Sequence, residues 1–201
     1  MLCADHGRSM RLMEKFQTRQ LVFTALMAAV ICILAPFSVP LPGNPVPITL
    51  ATFAIYLVSG IAGWKKAATA VVVYLLLGLV GVPVFAGFTG GAQAFAGATG
   101  GYLVGYVLLA FIEALLIDQN QDRIWIYPAA MIAGTAVLYV FRTIWFMIFT
   151  QMDLVTSLGL CVLPFLIGDA VKIVAASLIS PLLRKRLNVF LNGEKKSKQQ
   201  D

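Results

Sequence analysis

The sequence predicts an all-α membrane protein of six transmembrane helices, and three observations predict it: an apolar composition, six separated apolar blocks, and the side on which the basic residues fall. Of 201 residues, 60% are hydrophobic and 12% are charged, against about 25% charged in a soluble domain. With a mean hydropathy of +0.87, the chain carries more apolar surface than a water-soluble fold of this size can bury. The net charge of +6 does not indicate nucleic acid. The basic residues form short clusters at the edges of apolar blocks, without a basic helix or an RNA-binding aromatic motif.

The blocks are residues 21–37, 48–63, 67–82, 102–117, 124–149 and 162–183. The first follows a basic leader and lacks a small-residue cleavage site, so it reads as a retained helix and not a signal peptide. Residues 1–9 differ in character from the rest, and Met10 is an alternative start. The second, third and fourth blocks are 16 residues each, which at about 1.5 Å per residue covers roughly 24 Å of a ~30 Å hydrocarbon core. Flanking residues must extend these helices, or the bilayer must thin around them. The fifth and sixth are long enough to span without help.

Thirteen of the 15 Lys and Arg residues precede the first block or follow the second, fourth and sixth. The connections 38–47, 83–101 and 151–161 contain none. The positive-inside rule then places both termini in the cytoplasm. The expected organisation is a cytoplasmic basic leader at 1–18, a six-helix substrate-binding domain at 19–186, and a cytoplasmic polar tail at 187–201.

Two uncharged connections are unusual. Residues 38–47 hold four prolines and a glycine, which forbid helix and favour an extended, turn-punctuated segment. Residues 81–105 hold eight glycines, with Phe85, Phe88 and Phe95 between them. Such a stretch either folds back into the bundle to line a cavity, where irregular backbone is tolerated, or hangs outside as a flexible loop. The cost of exposing three aromatic rings favours the cavity.

Arg142 and Lys172 lie inside apolar blocks, where a charge costs about 2.5 to 3.5 kcal/mol at the bilayer centre. Asp169 stands three residues before Lys172, on the same helical face. Counted from the helix ends, Arg142 lies about 10 Å, Asp169 about 7 Å and Lys172 about 12 Å from the outer surface. All three fall at the level the uncharged loops reach. One reading is a polar chamber with a net positive charge, suited to a carboxylate ligand whose N–H groups meet Asp169. The other is an ion pair that only fixes packing, with Arg142 snorkelling outward.

Glu113 falls near the cytoplasmic end of the fourth block and reads as interfacial. Ala25 and Ala29 form a small-xxx-small surface on the first helix, fit for internal packing or for docking another membrane protein. Cys3, Cys32 and Cys161 share no metal-ligand spacing, and His6 is the only histidine, so neither a metal site nor a cofactor is expected. No Walker A loop, G-x-S-x-G or H-E-x-x-H motif occurs, and no nucleophile and base can be paired. An enzyme is therefore not expected.

The strings VPITLATF, YLLLGLVGVPVFAG, GATGGYLVGY and LPFLIGDAVKIVAA resemble the BioY family, the biotin-specific substrate-capture components of energy-coupling-factor (ECF) transporters. The resemblance spans roughly residues 19–186. It implies an ECF S-component-like bundle in the cell membrane that captures biotin from outside and works with a transmembrane coupling subunit and two ABC-type ATPase subunits. Membrane lipid surrounds it, and it contacts the coupling subunit through Ala25 and Ala29. The implied substrate-binding residues are Asp169 and Lys172, with Thr49, Thr52, Thr89, Gln93 and Tyr102, and Arg142 joins them as a candidate from its charge in an apolar block. Phe85, Gly87, Phe88, Gly90 and Gly91 are the implied loop lining. The chain departs from the family pattern at Ala51, where glutamine is commoner, at Ala98, where proline is commoner, and at Arg142, where a small residue is usual. A capture component for another small vitamin is the first alternative. A proton-coupled secondary transporter using Asp169 is the second.

Overall fold

In a computed structural model the backbone is described for residues 2–40, 46–120 and 123–197, and the side chains for 18–40, 46–120 and 123–187. In chain order the elements are α1 (Leu2–Leu34), β1 (Ser38–Val39), β2 (Ile48–Thr49), α2 (Ala51–Ala62), α3 (Trp64–Leu79), a single 3₁₀ turn (Ala92–Ala94), α4 (Gly100–Gln119), α5 (Ile126–Thr150), α6 (Leu154–Cys161) and α7 (Leu163–Ser197). Each expected apolar block is a helix of one bundle. Among the described residues, three stretches are long and apolar enough to cross a membrane: Gly100–Gln119, Ile126–Thr150 and Leu154–Leu187. Thr18–Leu34 and Ala51–Ala62 are apolar but shorter.

The boundaries differ from expectation for local reasons. α2 starts at Ala51 because Ile48 and Thr49 pair antiparallel with Val39 and Ser38. The Thr49 hydroxyl then accepts from the Ala51 N–H at 3.2 Å, serving a donor that the first helical turn leaves free. α3 takes Lys65 and Lys66 into its first turn, since Gly63 alone, at φ 79°, separates it from α2. α1 begins at Leu2 and α7 continues to Ser197, so leader and tail are largely helical extensions of the outermost spans. α6 was not expected. Gln151 at φ 57° ends α5, and the Asp153 side chain accepts from Thr156 N to cap α6.

Close helix approach is bought with missing side chains. A Cβ on Gly101 of α4 would lie 2.4 Å from the Trp145 Cβ of α5, and one on Gly105 would lie 2.6 Å from Leu138. In lipid, where apolar burial gives little net drive between helices, such contacts are a main source of association. Ile167, Val171, Val174 and Leu178 lie exposed at three- or four-residue spacing along α7, a stripe that suits lipid and not a second core.

At the end opposite the glycine-rich loop, the Arg184 Nη2 of α7 donates to Asp118 Oδ1 at 2.6 Å, and Arg184 Nη1 reaches the Gly60 carbonyl at 3.3 Å. Asp118 Oδ2 accepts from Trp64 N at 2.9 Å. One carboxylate thus ties α3, α4 and α7 together. Asp118→Ala is expected to cost about 1 to 3 kcal/mol, since it strands charge-assisted donors. A lowered unfolding midpoint of the purified protein in detergent checks this, and an unchanged midpoint would show the tie to be ornamental.

Candidate functional site

Toward the loop end, the hairpin, the glycine-rich segment and α2, α3, α4, α5 and α7 enclose a cavity of about 130 Å³. On the scale of ~10 to 15 Å³ per water it has room for a small organic molecule.

One wall is a polar cluster. Asp169 is 2% exposed, and its Oδ1 accepts from Lys172 Nζ at 3.1 Å and from the Thr52 hydroxyl at 3.3 Å. Its Oδ2 accepts from the Tyr139 hydroxyl at 2.8 Å. Lys172 Nζ also donates to the Thr49 carbonyl at 2.8 Å and to Thr52 Oγ1 at 3.0 Å. An ammonium has three donors and a carboxylate about four acceptor positions. Lys172 is therefore fully engaged within the protein, whereas Asp169 keeps acceptor capacity facing the cavity.

Arg142, 1% exposed, also lines the cavity. Its guanidinium carbon lies 3.9 Å from the Tyr139 ring centre, 4.6 Å from Tyr102 and 4.6 Å from Phe165. Nη2 donates to the Cys161 carbonyl at the end of α6, and Nε has no partner among the described residues. Snorkelling is excluded, because the side chain points into the bundle. Asp169 and Lys172 do pair, but within a wider network in which both, with Thr49 and Thr52, line the cavity.

The glycine-rich segment closes the chamber by folding back. Gly87 N donates to the Pro36 carbonyl at 2.9 Å, Gly91 N to Gly78 O at 2.7 Å, and Trp145 Nε1 to Gly97 O at 3.2 Å. Phe85 is buried and packs edge-on against Tyr74 and Phe95, with centroids 5.6 and 5.7 Å away.

Of the expected residues, Asp169, Lys172, Arg142, Thr49, Thr52, Thr89, Tyr102 and Phe85 line the cavity. Five do not, each for a visible reason. Gln93 is exposed and donates to Gly90 O in its own loop at 3.1 Å. Phe88, at φ 58° and 61% exposed, turns outward onto Phe37. Gly87, Gly90 and Gly91 shape the loop without facing the chamber. Gly87 and Gly91 have φ of 68° and 98°, and a Cβ on Gly90 would lie 2.4 Å from the Val82 carbonyl oxygen.

Elsewhere, Ala25 and Ala29 are exposed while the intervening Ala28 faces the bundle, so the small-residue surface is not used for internal packing. Glu113 is not interfacial. It is fully buried in α4 beside Gly134 of α5, and neither carboxyl oxygen has a partner among the described residues. Cys32 and Cys161 are free thiols in half-buried and buried positions. Tyr74, Tyr106, Tyr139 and Phe165 complete the aromatic part of the site and were not expected from sequence. Tyr139 lies three residues before Arg142, a spacing that puts both on one face of α5.

The model of the BioY family matches residues 9–189. The biotin transporter BioY of Thermotoga maritima is 38% identical over 167 residues, covering 83% of this chain and 96% of that protein. The biotin transporter BioY2 of Lactococcus lactis is 31% identical, covering 88% and 96%. Among solved structures, the S-component for biotin from an ECF-type ABC transporter superposes with a TM-score of 0.79 at 28% identity, covering 85% of this chain and 93% of the other.

Proposed function

The chain belongs to the BioY family, and from that premise we propose how its residues do the family's work. It is an integral membrane protein that captures biotin for uptake, and it is not an enzyme. As an ECF-type S-component it acts with coupling and ATPase partners. The finer reading is one transmembrane coupling subunit and two ABC-type ATPases in the plasma membrane, with both termini cytoplasmic and lipid around the bundle. The unused, exposed faces of Ala25 and Ala29 support docking of the coupling subunit there. Residues 19–186 form the substrate-binding domain in this reading, between a leader at 1–18 and a tail at 187–201.

The observation that carries the site assignment is a buried, charged wall facing a cavity. Asp169, Lys172, Arg142, Thr49 and Thr52 supply the polar contacts, and Tyr102, Phe85 and Thr89 supply the cover. Biotin suits such a chamber, since its ureido N–H groups match a carboxylate acceptor and its valerate carboxylate matches a cation. Purified protein in lipid nanodiscs is expected to bind labelled biotin saturably at one site, displaced by unlabelled biotin but not by excess riboflavin or thiamine. Displacement by another vitamin at equal concentration would transfer the assignment to that ligand.

A further inference from the structure

Two cations face the cavity, and the structure assigns different roles to them: Arg142, and not Lys172, reads the ligand's carboxylate. This rests on the biotin-capture reading and names the residue that sets which form of the ligand is accepted.

The two cations differ in their unspent donors. All three Lys172 N–H groups have acceptors within 2.8 to 3.1 Å, on Thr49, Thr52 and Asp169. Its charge is balanced by Asp169. Arg142 is the reverse case. It is almost fully buried and makes no ion pair among the described residues. Among the described residues, Nη2 donates to the Cys161 carbonyl, the guanidinium also lies near the Tyr139 hydroxyl, and Nε is unpartnered. A guanidinium has five N–H donors in a planar fork that matches a carboxylate. Three aromatic rings hold it at 3.9 to 4.6 Å. Those rings fix the fork's position and stabilise the cation, but they do not neutralise it. A buried cation already oriented and lacking a counter-ion is a preformed anion site, because the ordering cost has been met in folding.

Tyr139 links the two charged groups. Its ring lies against Arg142, while its hydroxyl donates to Asp169 at 2.8 Å. One side chain therefore touches both the acid-reading and the N–H-reading group.

The test compares biotin with its methyl ester, each competing against labelled biotin on the full chain in nanodiscs. Wild type is expected to prefer biotin by roughly 30-fold or more, as for loss of a charge-assisted bidentate contact. In Arg142→Gln the preference falls to within about threefold. In Lys172→Gln both ligands weaken together and the preference survives, because the damage there is to the Asp169 network. A wild type that binds ester as tightly as biotin overturns the assignment without any variant, and so does a preference that persists in Arg142→Gln. Should that variant not fold, Arg142→Lys decides, since a point charge lacking the fork must reduce the ratio several-fold. Wild-type protein that binds neither compound defeats the biotin reading itself, a separate failure.

Discussion

Asp169→Asn is expected to weaken biotin binding by two to three orders of magnitude, the largest single-residue loss in the molecule. Removing one member of a buried ion pair costs about 3 to 5 kcal/mol, since the partner stays buried and uncompensated, and each ~1.4 kcal/mol is a factor of ten in affinity. Asparagine keeps the shape but offers one acceptor oxygen where Lys172, Thr52 and Tyr139 present three donors. Its amide also brings donors of its own toward that crowd. Part of the loss will appear as lower stability, so the single variant cannot separate packing from binding. The double variant Asp169→Asn, Lys172→Met can. With both charges gone, the unfolding midpoint is expected to return toward wild type while binding stays lost. If labelled biotin bound the double variant normally, the pair would be a packing device and no part of the site.

What could be read from the sequence follows a physical divide. Residues that are expensive where they stand announce themselves, and residues that are cheap do not. Asp169 and Lys172 were legible because two charges three residues apart in an apolar helix have to meet, and they do at 3.1 Å. Arg142 was legible as an anomaly, but not its setting. Tyr139 and Phe165 carry no cost in an apolar run, so nothing in composition marked them as its cage. Glu113 shows the converse error. Its depth was inferred from the end of an apolar block, yet burial is decided by which face of α4 it occupies, and that face turns toward Gly134. The bundle followed from hydropathy and charge asymmetry, whereas α6 escaped because eight residues give too little periodicity to separate a short helix from a connection. The loop glycines were recognised as a group, but their separate tasks depend on positive φ and close backbone approach, which a sequence does not display.

Gly78 of α3 is a further hidden position, and Gly78→Ala is expected to reduce biotin affinity about tenfold or more while lowering stability less. A Cβ there would lie 2.0 Å from the Phe85 ring, where carbon atoms need about 3.5 Å. The ring has little freedom to yield, being 3% exposed and held edge-on by Tyr74 and Phe95. Overpacking of this kind costs about 1 to 3 kcal/mol. The strain falls on the binding site, because Phe85 lines the cavity and the Gly78 carbonyl anchors Gly91 of the covering loop at 2.7 Å. Steric origin makes the effect repairable from the other side. Phe85→Leu alone should weaken binding by loss of packing, yet added to Gly78→Ala it relieves the clash, so the double variant should bind better than the two separate losses combined predict. Simple additivity in labelled-biotin titrations would mean that the Phe85 ring does not rest on Gly78, and the loop would then have to be held over the cavity by other contacts.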